Sequence, residues 1–429
     1  MAKDTSKRLR NQVIYCVFVR NYSEEGTFAG VERDLDRIRD LGVDIIWLMP
    51  IHPIGVAERK GRDGSPYANK DYRTVNPEYG TMQDLKSLVD AIHDRDMKCI
   101  IDVVYNHTSP DSILAAEHPE WFHRDADGRP VARVAEWTDI VDLDYTDKAL
   151  WDYQTETLKM WAETVDGFRC DVASMVPVEF WMRAREEAEK IRPGCIWLAE
   201  SVEPGYIKEM RGQGCTVHSD GELYNAFDIT YDYDIYEEFQ AYFEGRGTLS
   251  AYLEALNRQE YIYPDNYVKL HFLENHDRLR AHAIIPDVQS LRNWTAFIYF
   301  MKGTTLIYNG QETGETHYIS LFDRDTIRWD REDNDTPGLS ELMRRLHDIK
   351  RKEIFADGSF HASEVRKGII LARRKAEDES VTGVFGVEGT RGAVPVGLPD
   401  GIYDNLIDGI RYEVKSGCIL FTGEPVILM

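Results

Sequence analysis

The sequence predicts an α/β protein built on a closed parallel (β/α)8 (TIM) barrel, with a short subdomain inserted after strand 3 and a C-terminal antiparallel β domain. Three observations carry that prediction. Eight short apolar runs recur over roughly the first three quarters of the chain, and near-continuous apolar strands fit a parallel sheet covered on both faces. Helical patterns lie between several of the runs, the alternation that marks parallel α/β architecture. Eight repeats, with no GxGxxG turn after the first strand, favour a closed barrel over an open doubly wound sheet.

Taken in order, the runs are VIYCVFV (13–19), DIIWLMP (44–50), CIIDVV (99–104), GFRCDVA (167–173), CIWLAE (195–200), ELYNAFD (222–228), VKLHFLENHD (268–277) and TTLIYNG (304–310). Val31, Leu35 and Ile38 fall at i, i+4 and i+7 and predict a helix stopped near Gly42. Thr81 and Asp84 read as a capping box, with Leu85, Leu88, Val89 and Ile92 as the apolar stripe behind it. The interval 108–142 is too long for a simple βα connection and carries Pro110, Pro119, Pro130 and a DADGRP turn, so it reads as an inserted subdomain. From residue 353 the pattern changes to alternating strands separated by turns such as DGS, EGT and PDG. The expected organisation is a barrel over 1–107 and 143–352, the insert over 108–142, and a β-sandwich over 353–429.

Composition narrows the function. Lys and Arg number 51 against 75 Asp and Glu, a formal net charge of −24. Nucleic acid and anionic membrane surfaces are therefore excluded as partners, whereas a neutral, hydroxyl-rich substrate is indifferent to that charge. No run of about 18 apolar residues is present, and MAKDTSKRLRNQ lacks the apolar core of a secretory signal. Six cysteines, at 16, 99, 170, 195, 215 and 418, form no CxxC pair. The first four sit in or beside apolar runs, where reduced cysteine is a small buried hydrophobe. Cytoplasmic location is the expectation.

The polar residues fall at the ends of the runs. Arg169 and Asp171, two apart in a strand, share a face about 7 Å apart along it. A guanidinium there favours an ionised carboxylate, and a buried structural ion pair looks the same. Asp102, Asn106 and His107 end the third run, Glu200 the fifth, and Asn275, His276 and Asp277 the seventh. Catalytic groups of a barrel gather at the carboxyl ends of its strands. No HExxH, P-loop or GxSxG elbow accompanies them. Carboxylates with histidines and a flanking arginine suit glycoside cleavage: one attacks, one protonates the leaving oxygen, and the rest hold hydroxyls.

The segments DVVYNH, GFRCDVAS, WLAE and FLENHD resemble, in order and spacing, the four short motifs of the α-amylase family of glycoside hydrolases. GVDIIWLMPI, SPYANKDYRTVNPEYGT, IYNGQE and LFDRDTIRWD extend the resemblance over residues 13–352. It implies Asp171 as nucleophile, Glu200 as general acid and then base, and Asp277 as the third carboxylate that stabilises the distorted transition state. It further implies Arg169 as the partner of Asp171, His107 and His276 on hydroxyls of the same sugar, Tyr67 as the aromatic platform beneath it, and Arg280 as a contact in the same region. Asp102 is expected to be a buried organising group. A retaining double displacement wants nucleophile and acid about 5–5.5 Å apart, which adjacent strands can supply.

The chain departs from the family pattern in places. Where starch-cleaving members carry a Lys-His pair after the nucleophile, this chain has Ser174 and Met175. Short maltooligosaccharides are thus the better expectation than raw starch. No cofactor is expected to be required. The resemblance raises a structural calcium as an alternative, with Asn106 as its candidate ligand, but the loop RNYSEEGTF lacks a DxDxDG pattern. Trp47, Trp137, Trp151 and Trp161 are read as packing residues, and His93 and His271 as ordinary helix and strand histidines. The expected activity is hydrolysis of α-1,4-glucosidic bonds. A glucanotransferase or glucosyl isomerase on the same scaffold is the alternative, and a non-catalytic carbohydrate-binding relative ranks last because all three carboxylates are present. Oligomeric state is left open.

Overall fold

A computed structural model describes residues 4–329 and 337–429. Eight strands close into a parallel barrel in sequential order: β1 (Val13–Val17), β2 (Ile45–Leu48), β3 (Lys98–Val103), β4 (Gly167–Cys170), β5 (Ile196–Ala199), β6 (Ile229–Tyr231), β7 (Val268–His271) and β8 (Gly303–Tyr308). Alternation sorts their side chains. Ile14, Cys16, Ile45, Trp47, Ile100, Leu198, Ile229, Tyr231, Leu270 and Leu306 pack in one inner cluster. Cys99, Ile101, Val103, Phe168 and Cys170 join the larger cluster beneath the helices. The helices α1 (Leu35–Asp40), α2 (Met82–His93), α3 (Lys148–Ala162), α4 (Val178–Glu189), α5 (Pro204–Gly212), α6 (Leu249–Ile262), α7 (Val288–Phe300) and α8 (Leu339–Lys350) follow the strands in turn. The Thr81–Asp84 capping box opens α2 as its spacing predicts, and Leu85, Leu88, Val89 and Ile92 are buried.

Two elements differ from the sequence expectation. The sixth strand is Ile229–Tyr231, whereas ELYNAFD falls mainly on a short helix, Asp220–Leu223, and the turn after it. Ser219 and Glu222 form a second capping box that commits this segment to a helical start. The helix predicted through Val31 and Ile38 is broken after Glu32 and restarts at Leu35. Asp34, at the break, is held by side chains, accepting from Arg37 Nε at 2.8 Å and from the Tyr22 hydroxyl.

Between β3 and β4 the chain leaves the barrel through a short antiparallel ladder, His107–Thr108 against Val141–Asp142. Beyond α8 lie a four-stranded antiparallel sheet, built from Ser359–Arg366, Ile369–Ala376, Glu379–Gly386 and Val426–Leu428, and two two-stranded ribbons. Ile369, Val384, Val394, Val414, Phe421 and Leu428 share the core between them. Arg374 staples this sheet to the barrel. Fully buried, it donates to the carbonyls of Phe300 (3.2 Å), Met301 (3.1 Å), Phe355 (3.0 Å) and Gly358 (3.2 Å). The first two are carbonyls at the carboxyl end of α7, where a cation complements the helix dipole.

Candidate active site

Strand register assembles the site. Asp102 in β3 lies opposite Arg169 in β4, and Cys170 lies opposite Ala199 in β5. Asp171 and Glu200 are the next residues along and arrive at the barrel mouth side by side. The Asp171 N–H donates to the Val103 carbonyl at 2.9 Å and the Glu200 N–H to that of Cys170 at 3.0 Å. The following residue, Val172, is left-handed, with φ of 41°, a conformation a β-branched residue adopts only where its surroundings enforce it. Its N–H points at Glu200 and donates to Oε2 at 2.8 Å.

Arg169 is fully buried and serves three carboxylates at once. Nη1 reaches Asp102 Oδ1 at 3.0 Å and Asp171 Oδ1 at 2.8 Å. Nη2 lies 2.9 Å from Glu200 Oε1 as an ion pair outside hydrogen-bond alignment. Trp47 lies beneath the guanidinium, 5.0 Å away. One cation against three buried acids leaves the cluster short of positive charge. Burial, reinforced by the charges of Asp171 and Asp277, pushes the Glu200 carboxyl up to about 7 against the pull of Arg169. Burial likewise raises Asp171 and Asp102 to about 6 each, opposed by Arg169. The cluster titrates as a unit, and Glu200 is the group that holds a proton near neutrality.

The other wall comes from the loop after β7. His276 Nε2 lies 3.0 Å from Asp277 Oδ2 and 2.8 Å from the Tyr67 hydroxyl, which donates to Asp102 Oδ2 at 3.1 Å. Burial disfavours the imidazolium, but the Asp277 charge outweighs it and holds the His276 pKa above the ordinary value; the imidazolium holds Asp277 below its own, despite burial. Asp277 is the most open of the three carboxylates, its side chain 41% exposed. The Tyr67 ring stacks on His276, centroids 5.3 Å apart. His107 Nε2 stands 3.8 Å from Asp171 Oδ2, and burial keeps this imidazole neutral.

These groups line a cavity of about 290 Å³ together with Lys60, Ser65, Trp137, Asp139, Ile140, Val172, Leu321 and Phe322. That volume sits near the lower end of small-molecule sites. A larger cavity, about 650 Å³, lies on the outer surface beside α1 and α8 and holds none of the barrel-mouth groups. Three loops form a continuous wall on one side of the mouth. Lys60 Nζ bridges to Asp139 Oδ1 and the Glu136 carbonyl, both at 3.0 Å. The N–H groups of Asp63 (2.9 Å) and Gly64 (3.0 Å) donate to the Phe322 carbonyl. Gly61 packs so closely on Phe322 that a Cβ would stand 2.6 Å from the phenyl Cβ.

Of the residues the sequence singles out, Asp171, Glu200, Asp277, Tyr67, His107, Arg169 and His276 converge here, with Asp102 beneath them. Arg280 does not line the cavity. It is buried in a pair with Glu274 at 2.6 Å, lies over the Tyr308 ring and donates to the carbonyls of Asn309 and His317, so it braces the loop that carries Asp277. The Asn106 oxygen, the candidate calcium ligand, accepts from Arg133 Nη2 at 2.7 Å. Trp137 does both: half-buried, it packs against the small cluster of Met175, Met210 and Val217 and lines the cleft 5.7 Å from His107; Trp151 and Trp161 are buried, as is Trp47. Sequence reasoning missed the wall residues Lys60, Asp139, Leu321 and Phe322. They lie on loops with no residue periodicity, and only the long 108–142 interval and the LFDRDTIRWD frame pointed toward them.

A (β/α)8 barrel with a carboxylate on each of two adjacent strand ends and a third facing them defines an enzyme acting on glycosidic bonds. The chain belongs to the α-amylase family: the description "Alpha amylase, catalytic domain" matches residues 10–130 and 134–357, and "Bacterial Alpha amylase C-terminal domain" matches 361–428. Among solved structures, an α-amylase from Lactobacillus plantarum is 48% identical, covers 99% of each chain and superposes with a TM-score of 0.95. The noncanonic maltogenic α-amylase AmyB from Thermotoga neapolitana is 33% identical over 98% of this chain and 99% of its own, with a TM-score of 0.85. The α-amylase MalA of Haloarcula japonica is 27% identical over 428 residues, 95% of this chain; this chain spans 59% of MalA. An α-1,4-glucan:maltose-1-phosphate maltosyltransferase from Rhodospirillum rubrum is 31% identical over 274 residues, 58% of this chain and 36% of the transferase. Among the described residues, no helix is long and apolar enough to cross a membrane.

Proposed function

We propose that this enzyme cleaves α-1,4-glucosidic bonds in short maltooligosaccharides by retaining double displacement. The observation that supports it most is the placing of Asp171 and Glu200 side by side on one buried guanidinium, with burial and the charges of Asp171 and Asp277 keeping a proton on Glu200 against the pull of that guanidinium. In the first step an Asp171 oxygen attacks the anomeric carbon, the glycosidic C–O bond breaks, and the leaving oxygen takes the Glu200 proton. In the second step Glu200, now ionised, accepts a proton from water as that water displaces Asp171 from the sugar. Asp277, paired with His276, holds hydroxyls of the same sugar, and Tyr67 and His107 bound it. Hydrogen bonds that strengthen as the ring flattens stabilise the oxocarbenium-like transition state.

The loops tied together from Lys60 to Phe322 help enclose the small cavity that holds the carboxylates, and an enclosed, small cavity favours attack near a chain end. The similarity to a protein described as a maltogenic α-amylase supports the same reading. Transfer to a second sugar is the alternative. It uses every residue named above, and the similarity to maltosyltransferases is what favours it. Incubation with maltoheptaose, products separated by length and Asp171→Asn run as a blank, tests both. Shorter sugars alone support hydrolysis, with the first product giving the position of attack. Longer sugars appearing alongside support transfer. Equal turnover by the Asp171→Asn protein, or none by the wild type, overturns the α-1,4-glucan reading.

A further inference from the structure

Arg133, in the segment inserted after β3, lies outside every motif considered above, yet its guanidinium ends on Asn106, whose amide touches the His107 ring at the barrel mouth. Nε is 2.8 Å from Asp142 Oδ2, a carboxylate with no solvent exposure, and the Arg133 backbone N–H donates to the same oxygen at 3.1 Å. Nη2 donates to Asn106 Oδ1 at 2.7 Å. An arginine only donates, so the Asn106 amide must turn its oxygen to Arg133 and its NH2 away. The NH2 then faces His107 Nδ1 at 3.2 Å. An amide nitrogen only donates, so Nδ1 must accept, and the ring proton is left on Nε2, the nitrogen 3.8 Å from Asp171. The Tyr67 carbonyl is a further acceptor beside the ring.

We propose that Arg133 is a positioning residue: it stands where a cation would bind Asn106 and Asp142, and through the Asn106 amide it fixes His107 with its Nε2–H toward the nucleophile and the sugar. These two oxygens therefore do not fit a calcium ion. Both already accept from a guanidinium that cannot lose its charge, and a second cation on them would be repelled by the first. The inserted segment is thereby tied to the barrel by chemistry encoded in the chain, and the tie ends on a ring at the reaction centre. Partners of this kind set imidazole tautomers at many sites, and removing one typically costs about ten-fold or more in activity.

Three proteins and two readouts that do not depend on activity test this. Asn106→Asp keeps an oxygen for Arg133 but offers His107 only acceptors, so the ring proton should move to Nδ1. Nitrogen NMR of 15N-histidine protein, with His107 assigned from a His107→Gln sample, should show that exchange, and kcat on a maltooligosaccharide should fall about ten-fold with the melting temperature retained. Arg133→Met should give mixed ring tautomers and a lower kcat at similar KM, and Arg133→Lys, with one charged donor in place of two, should recover part of it. The wild-type melting temperature should be unchanged by EDTA, whereas that of Arg133→Met should rise when calcium is added. A wild-type melting temperature that drops on chelation, or a His107 ring and kcat indifferent to Asn106→Asp, overturns the proposal. The activity arm rests on the glucan-cleaving reading; should that reading fail, the ring-nitrogen and chelation arms still decide.

Discussion

Glu200→Gln should make the protein more stable than the wild type at alkaline pH while abolishing its turnover. A carboxyl raised from 4.5 to about 7 prefers its protonated form in the folded protein by about 3 kcal/mol. The sign follows from linkage. The folded-state pKa lies above the unfolded one, so the stability is present in full below pH 4.5 and is lost as pH rises through about 7. Asp171 and Asp102 share the same proton-poor cluster, so we assign Glu200 about half of that loss, roughly 1.5 kcal/mol. In a chain of this size that is about 2 °C in melting temperature. Glutamine keeps an oxygen for the Val172 N–H and cannot ionise. The assay is differential scanning calorimetry of both proteins at pH 5 and pH 8. The advantage of Glu200→Gln should appear at pH 8 and shrink toward pH 5. A difference of the same size at both pH values, or one that grows toward acid, would refute the reasoning that burial of an ionisable acid is what the site costs.

The wild-type kcat should follow a bell in pH, rising as Asp171 ionises near 6 and falling as Glu200 loses its proton near 7; a profile still flat from pH 7 to 9 would contradict the assignment of the acid. Lys60→Ala removes the bridge to Asp139 and Glu136 and should lengthen the shortest early products from maltoheptaose, as read by chromatography, with kcat changed less than about three-fold. Arg374→Leu orphans four buried carbonyls and should lower the unfolding free energy in urea by about 3 kcal/mol. A loss under about 1 kcal/mol would mean that the staple is dispensable.

Much of the barrel was legible because its strands are buried on both faces and advertise themselves as apolar runs. ELYNAFD misled because it has a strand's composition and a helix's start signal, and the Ser219–Glu222 box prevailed over the aromatic residues. Asp171 and Glu200 were legible because they directly follow strand ends, where register and position in sequence coincide; Asp277, on the loop after β7, was legible from the FLENHD resemblance alone. Arg280 was misplaced because it lies on the same loop, well past the end of β7 at His271, where spacing no longer says which way a side chain turns. Lys60, Asp139 and Phe322 meet only in three dimensions, across three loops, so no local pattern marks them. Arg133 was silent in the sequence because its meaning lies in two oxygens, one 27 residues before it and one 9 after.

The left-handed turn at Val172 has an implication for how such an enzyme could change over generations. Glu200 is moored by the amide that immediately follows Asp171 and by the guanidinium that also holds Asp171, so the placing of the two carboxyls is shared between main chain and one buried arginine. A lineage drifting by point substitution can alter which sugar enters, how long a product leaves, or whether water or another sugar receives it. On the proposed retaining mechanism, an inverting outcome would require parting the two carboxyls to about 6.5–9.5 Å, which means releasing both holds together. On that mechanism, the stereochemistry of the product is the trait that drift by point substitution changes least easily.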